Sequence, residues 1–535
     1  MAQPQLYKKI TLTSYDTIRY RDDLPEGYGS ASPFSMGLNA LVTRNIAGLV
    51  QSLCLQGQWR EHDLEEYSKV GRVPDGSMML NIAVRAAIDR CTNLTSFSWK
   101  LNIKLMSTVY AALVSLNNLE SFHLRFPSTR TPQPQTMVPA LPNLREFTMT
   151  DYDPLCHPDD LSTMFFHATK LESVKLHFSP RMRSVAEPSV QLHNFFRRNV
   201  AAHRTVKLKR IELYNCFSIA SPELTHIFLP DKLEDVTMIN SFGLGSDFAS
   251  SSATHFIDQT WAHEHMAEKD HSMLKSMRGD KINHLVCKDL MMMPVLEKIY
   301  FVNPNCKKAC DAYGPSPTPS LNSSFDIATP IGPPLELKRQ TPRVPPFAMT
   351  PTEALRDSLI DVLCTSHGAS LKHLIIPSRL PLSNYSMTKL IRSCPNLTQL
   401  SFAPEEINPE VFRHVIPFAS KLKAMRLTAP DGPGKDGAEK RKKFLDFEAR
   451  GDHEYYMNLE LSGAFGNPMG MTHLRYIGLG QKVWETGSLQ QEVRTVQDDE
   501  GNEMEQQIFT RKVKPLGWDD VADIEIWKLD TTDLV

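Results

Sequence analysis

The sequence predicts an α/β fold: a curved, horseshoe-like solenoid of about 11–13 irregular strand–helix repeats closed by a C-terminal β cap. Three observations lead there. The first is a spaced apolar signature, Leu-x-x-apolar-x-apolar. It reads Leu94-Phe97-Trp99, Leu119-Phe122-Leu124, Leu144-Phe147-Met149, Leu171-Val174-Leu176, Leu208-Ile211-Leu213 and Leu233-Val236-Met238. It returns at Leu296-Ile299-Phe301, Leu371-Leu374-Ile376, Leu397-Leu400-Phe402, Leu422-Met425-Leu427 and Leu474-Ile477-Leu479. The second is its step. Successive first leucines stand 25, 25, 27, 37, 25, 63, 75, 26, 25 and 52 residues apart, mostly one period or close to a multiple of it. The third is that helical segments fill several of the gaps. A period of roughly 20–29 residues on this motif is that of leucine-rich repeats, each a short strand plus a helix that must stack on its neighbours to bury its apolar face.

Residues 1–45 are expected to form an N-terminal cap. Leu6 to Leu12 alternate apolar and polar as an edge strand would, and the Gly/Pro/Ser-rich stretch Asp22 to Ser35 reads as ordered loop. The first lobe of repeats spans 46–302 and begins with Val50-Leu53-Leu55. A polar insertion from Gly57 to Ser77 precedes a helical run Met78 to Arg90, in which Leu80, Ala83, Val84 and Ile88 share a face. Further helices are predicted at Met106–Leu116, Leu161–Thr169, Val190–Ala202, Thr352–Ser366, Met387–Ser393 and Pro409–Ala419. Asp159 or Asp160 supplies a cap for the second of these. Pro351 and Asn408-Pro409 mark helix starts, because proline is tolerated in a first turn.

Residues 303–350 are too rich in proline and serine to form a packed repeat and read as a flexible insertion. The second lobe, 351–480, contains an excursion from Ala429 to Arg450 that carries Lys440-Arg441-Lys442-Lys443, a solvated loop by this reading. In the cap, 481–535, two strands around Val493 to Val496 and Ile508 to Val513 flank a turn at Asp498 to Asn502. Ile524 to Trp527 is expected to add another alternating strand.

The composition narrows the function. Of 535 residues, 41% are hydrophobic and 22% charged, which suits a globular protein. A net charge of −2, from 59 basic and 61 acidic residues, argues against a general nucleic-acid binder. No apolar run is long enough to span a bilayer and no signal-peptide core opens the chain, so no membrane partner is expected and the cytoplasm or nucleus is the expected compartment. Nine scattered cysteines do not make a disulfide framework; Cys91, Cys216 and Cys394 read as small buried fillers.

Chemistry-bearing clusters are few. His263, His265 and His271 lack a cysteine partner at zinc spacing, and Cys306 with Cys310 lacks a second pair, so no metal is expected. Arg60 to Asp63 has acid–base residue types, but four consecutive residues cannot converge on one point. No phosphate-binding loop, nucleophile elbow or metalloprotease helix occurs. The chain is therefore read as a binder, not an enzyme, with no cofactor.

If the apolar signature positions face the core, the residues between and after them face outward on a concave sheet. In the first lobe this gives a polar, locally basic and aromatic stripe, with Lys100, His123, Arg125, Lys175, His177, Tyr214 and Tyr300 as the predicted protein contacts. In the second lobe the outward residues are Ile375, Pro377, Ser401, Ala403, Arg426, Thr428, Gly478 and Gly480, a smaller and more neutral stripe.

The chain resembles the leucine-rich repeat part of fungal F-box proteins. The resemblance is carried by Leu6 to Leu12, similar to the strand that follows an F-box, and by Leu113 to Leu124, Thr350 to Asp357 and Cys394 to Leu400. Asn102 and Cys216 alone fill the Asn/Cys position of the repeat. The resemblance implies a substrate receptor of a Skp–cullin–F-box ubiquitin ligase that holds a protein substrate on its concave face. The F-box itself is not visible in this chain, so the Skp adaptor and cullin are expected partners only if one lies upstream. The other reading is a stand-alone interaction scaffold, such as a GTPase regulator or nuclear assembly factor, with no ligase role.

Overall fold

The computed structural model describes residues 3–15, 17, 20–21, 23–25, 32–59, 75–126, 135–153, 159–179, 194–214, 227, 232–239, 273–280, 282–293, 295–303, 351–407, 409–431, 434–450, 473–497 and 503–531. They fall into two compact units, Met1–Asn305 and Cys306–Asp533. The chain is mixed α/β with long parallel sheet, as the signature predicts.

In the first unit, β1 (Lys9–Ser14) is followed by a small antiparallel ribbon, β2 (Tyr20–Arg21) and β3 (Leu24–Pro25). Then come β4 (Ser52–Gly57), β5 (Ser96–Leu101), β6 (Ser121–Arg125), β7 (Glu146–Tyr152), β8 (Ser173–Phe178), β9 (Arg210–Tyr214), β10 (Asp235–Ile239), β11 (Ser276–Gly279) and β12 (Lys298–Phe301). β1 and β4 to β12 pair in chain order, all parallel. The register is set by the signature. Leu53, Phe97, Phe122, Phe147, Val174, Ile211 and Val236 are successive partners, and two residues farther along each strand Leu55, Trp99, Leu124, Met149, Leu176, Leu213 and Met238 form a second ladder. Both ladders are buried. A slip of one residue would turn every one of these side chains to the opposite face, so burial fixes the register.

Aromatic rings continue the ladder. Phe122 lies 6.2 Å from Phe97 and 5.9 Å from Phe147, with Tyr110 edge-on at 6.4 Å. The asparagine before a signature leucine also joins neighbouring units: Asn93 Nδ2 donates to Gly48 O at 2.7 Å, and Asn143 Nδ2 to Asn117 O at 2.8 Å.

Helices cover the ladder face. Asp75–Arg90 buries Leu80, Val84, Ala87 and Ile88 and packs on Pro33–Thr43 and Ser107–Val114. Ser162–His167, Arg197–Ala201 and His284–Met292 follow. Of the two expected caps, Asp160 makes the contact, its Oδ1 accepting from the Ser162 backbone N–H at 2.8 Å, although Leu161 occupies the cap position itself. The loop expected up to Ser35 gives way earlier than predicted. Ser32 caps a helix that starts at Pro33, the hydroxyl accepting from Ser35 N–H, because serine at the cap and proline in the first turn both favour a helix start. β11 lay hidden in the 63-residue gap: its signature is Leu274-Met277-Gly279, with glycine in the last apolar position.

The second unit repeats the arrangement. Helix Pro351–Val362 runs into a π-helical turn, Leu363–His367, before β13 (His373–Ile375). Helix Asn384–Ser393, capped by Ser383, leads to β14 (Gln399–Phe402), and Pro409–Val415 with Ile416–Phe418 leads to β15 (Ala424–Leu427). β16 (Tyr476–Leu479) completes this parallel set, and β17 (Lys482–Gln497) and β18 (Glu503–Leu516) add the expected antiparallel hairpin. Cys91 and Cys394 are buried, and the Cys394 thiol hydrogen-bonds with that of Cys364.

Two expectations are corrected. Lys440 to Lys443 lie in a helix, Gly434–Arg450, not a loop. Lysine, arginine and glutamate are strong helix formers, Phe444 is buried, and Glu439 pairs with Lys443 one turn on at 3.0 Å. Ile524 to Trp527 is not a strand. Ile526 and Trp527 are both buried although adjacent, and the helix Glu525–Lys528 forms instead, with Trp527 N–H donating to Ile524 O at 3.0 Å. The histidines of 261–271, Arg60 to Asp63, Cys216, the turn at 498–502 and nearly all of 303–350 lie outside the described residues.

Candidate functional site

The face of the first sheet opposite the ladders carries its own registered row. Ser98, His123, Thr148, Lys175, Glu212, Thr237, Arg278 and Tyr300 are successive partners from β5 to β12. A second row, two residues farther along, pairs Arg125 with Thr150 and His177 with Tyr214. All seven predicted contacts therefore share one face. Their exposure differs. Lys100 is exposed, Arg125 retains 28% and Lys175 and His177 each 12% of side-chain exposure, while Tyr214 and Tyr300 are buried at 1% and 2%. Of the seven predicted contacts, these two tyrosines are therefore the ones this face does not leave open.

A bulge in β7 organises one end of the face. The register shifts between Met149 and Tyr152, and Asp151 adopts φ of 56°, a left-handed conformation that aspartate tolerates. This aims Asp151 between two predicted contacts. Its carboxylate accepts from Arg125 Nε at 2.7 Å and lies 3.5 Å from His177 Nδ1, which accepts from the Asp151 backbone N–H at 3.2 Å.

At the other end the groups form a chain. Lys175 Nζ is 3.5 Å from Glu212 Oε2 and 5.0 Å from the Tyr214 ring centre. The Tyr214 hydroxyl donates to Glu212 Oε2 at 3.1 Å and accepts from Arg278 Nη1 at 2.7 Å. Burial lowers the pKa of Lys175 and raises that of Tyr214. Arg278 was not foreseen, because glycine at position 279 concealed the strand that carries it; a leucine at 274 followed by Met277 was the available signal.

His123 stands on β6 two residues before Arg125, 3.3 Å from Thr150 Oγ1. Burial, together with the charges of Lys100 and Lys175, pushes its pKa down to about 3, so it stays neutral near pH 7. The unfolded chain takes up a proton near pH 6.5, whereas the folded one does not until about pH 3. The stability His123 favours is therefore complete above pH 6.5 and falls away as pH drops toward 3. We expect the His123 ring signals to show no protonation down to pH 4.5 in an NMR titration, and His123→Gln to flatten the acid side of the stability profile. An ordinary midpoint near pH 6.5 would contradict this environment.

The open stripe expected on the second sheet is occupied. Helix Glu525–Lys528 packs on β13 and β14. Arg426 Nη1 donates to Asp530 Oδ2 at 2.8 Å, both residues buried, and Gln399 Oε1 accepts from Ile526 N–H at 3.2 Å. His373 pairs with Glu525. Trp527 lies on Gly478, where an added Cβ would stand 2.8 Å from its ring. Of the outward residues expected there, Arg426 and Gly478 seat the chain's own residues 526–530, while Gly480 faces Glu448.

Among the described residues no group of three or more His, Cys, Asp or Glu could hold a metal, and no helix is long and apolar enough to cross a membrane. No protein-family model matches the chain, and no curated protein matches it. Among solved structures it is similar to a chain of the complex of Rad7 and Elc1 in yeast, with 12% identity and a TM-score of 0.37 over 75% of each chain. It is also similar to a chain of the TLR13–ssRNA13 complex, with 12% identity and a TM-score of 0.23 over 67% of this chain and 56% of that one.

Proposed function

We propose that this chain is a non-catalytic leucine-rich repeat protein, a solenoid that binds another protein on the open face of its first sheet. The observation that supports this most is the continuous registered row from β5 to β12, flanked by Lys100, Arg125 and His177. Strands in a sheet lie about 4.8 Å apart, so the half-buried part of the row, from Ser98 to Thr237, extends on the order of 24 Å, a span suited to a folded surface or extended peptide. Lys100 has no ion-pair partner among the described residues, and the field of Lys100 and Lys175 already disfavours a proton on His123. Such a face favours a partner that brings carboxylates.

A photo-crosslinker placed at position 98 of the full chain, in cell extract, tests this reading. The expected result is a discrete crosslinked protein whose yield falls at least tenfold with Lys100→Glu or Arg125→Glu and falls with added salt. Crosslinking indifferent to both changes would sink it. Skp adaptor and cullin subunits co-purifying with the chain would support the substrate-receptor role implied by the F-box resemblance. Partners without ubiquitin machinery would favour the stand-alone scaffold.

A further inference from the structure

We propose that the sheet face of the second unit is a separate peptide-recognition site, held by the chain's own residues 524–531 until an external segment bearing an aromatic residue and, three positions later, a carboxylate displaces them. This goes beyond the protein-binding face of the first unit and does not rest on it.

The tail shows what chemistry the seat accepts. Gly478 leaves a flat bay in which the Trp527 ring lies beside the stem of Arg426, whose Cγ is 3.1 Å from the position a Cβ on Gly478 would take. Arg426 then receives the carboxylate of Asp530, three residues after the tryptophan. Arg426 Nη1 also lies 3.4 Å from the Ile526 carbonyl oxygen, and Gln399 reads the Ile526 N–H. A cation, an amide and a glycine bay at one face are the groups that recognise a peptide by backbone, ring and acid together.

The fit is incomplete. Arg426 Nε, Ser401 Oγ and Thr428 Oγ1 on the sheet and Trp527 Nε1 in the segment are buried, and none has a hydrogen-bond partner among the described residues. Buried polar groups normally find partners, and leaving them unmade removes much of what burial of Ile526 and Trp527 contributes. The chain's own segment is therefore a poorer ligand than the seat allows. A segment that offers a second carboxylate oxygen to Arg426 Nε, or an acceptor to either hydroxyl, satisfies groups that Asp530 does not. The segment is also short and follows the β17–β18 hairpin, so it can leave without unpairing β13 to β16.

The test uses a fluorescent peptide of the sequence of residues 522–531 and the full chain. Asp530→Asn weakens the internal contact without altering the seat. Labelled peptide is expected to bind this variant at least tenfold more tightly than the unsubstituted chain, and the gain is expected to vanish when the peptide itself carries Trp527→Ala and Asp530→Asn. Equal binding to both chains, or binding indifferent to the peptide changes, overturns the proposal. If Asp530→Asn disturbs the fold by circular dichroism, Glu525→Gln takes its place with the same expectation. Hydrogen exchange of the unsubstituted chain gives an independent reading: the amides of Trp527, Lys528 and Leu529 should exchange at least a hundredfold faster than those of β14 and β15. Equal protection would show the segment to be a fixed part of the core.

Discussion

Asp159→Ala is expected to destabilise the first unit by about 3–5 kcal/mol, among the largest effects of any single substitution in this chain. Asp159 is buried, and its Oδ1 accepts from Lys104 Nζ at 2.6 Å. Its two oxygens also accept from the Thr136 backbone N–H at 3.1 Å and the Thr136 hydroxyl at 2.5 Å. Lys104 is buried as well, and its carbonyl lies 3.5 Å from Asn81 Nδ2, while Asn81 Oδ1 accepts from Met106 N–H at 2.9 Å. One carboxylate thus secures segments from three successive units. Removing it takes from a buried ammonium ion the carboxylate held 2.6 Å away, and that charge imbalance in a buried site, more than the other lost hydrogen bonds, sets the magnitude. The decisive comparison is with Lys104→Met combined with Asp159→Leu. Removing both charges should cost markedly less than removing one, as urea denaturation of the three variants would register. If the single substitution lost under about 1 kcal/mol, water would have to reach the pair, and the buried-charge account would fail.

Phe122→Ala should cost a similar amount, about 3–5 kcal/mol, by a different route. Phe122 is fully buried and is the ring on which the ladder turns, touching Phe97, Phe147 and Tyr110. Truncation removes its own buried area and leaves a void that three rings on fixed strands cannot close. Because β6 is paired with β5 and β7, hydrogen exchange should accelerate first in these three strands, with β9 and β10 affected less. Phe122→Leu refills most of the volume and should recover more than half of the loss. Equal losses for the two substitutions would mean that the strand, and not the packing of the ring, had been disturbed.

How much of this was legible beforehand differs from element to element. The leucine signature located nearly every strand, because a ladder that must be buried on one face leaves a strict alternation in the sequence. It missed β11, where Gly279 takes an apolar position that the ladder tolerates in one unit out of many. The basic run at 440–443 looked like a loop since composition alone does not show that Glu439, Glu405 and the buried Phe444 give it helical partners. All seven predicted contacts stand on one face because parity along a strand is a local property. Their accessibility is not local, and Tyr214 and Tyr300 are covered.

The sequence by itself determined the period, the parallel pairing and which side chains face the helices, since each follows from alternation within a strand and from the spacing between strands. Only the tertiary structure decided which outward residues remain open. Whether Lys100 meets solvent or Arg426 meets Asp530, 104 residues away, depends on where a distant segment comes to rest, and no periodicity records that. Burial of a polar face is a contest between distant groups for the same surface, and its outcome exists only once the chain has folded.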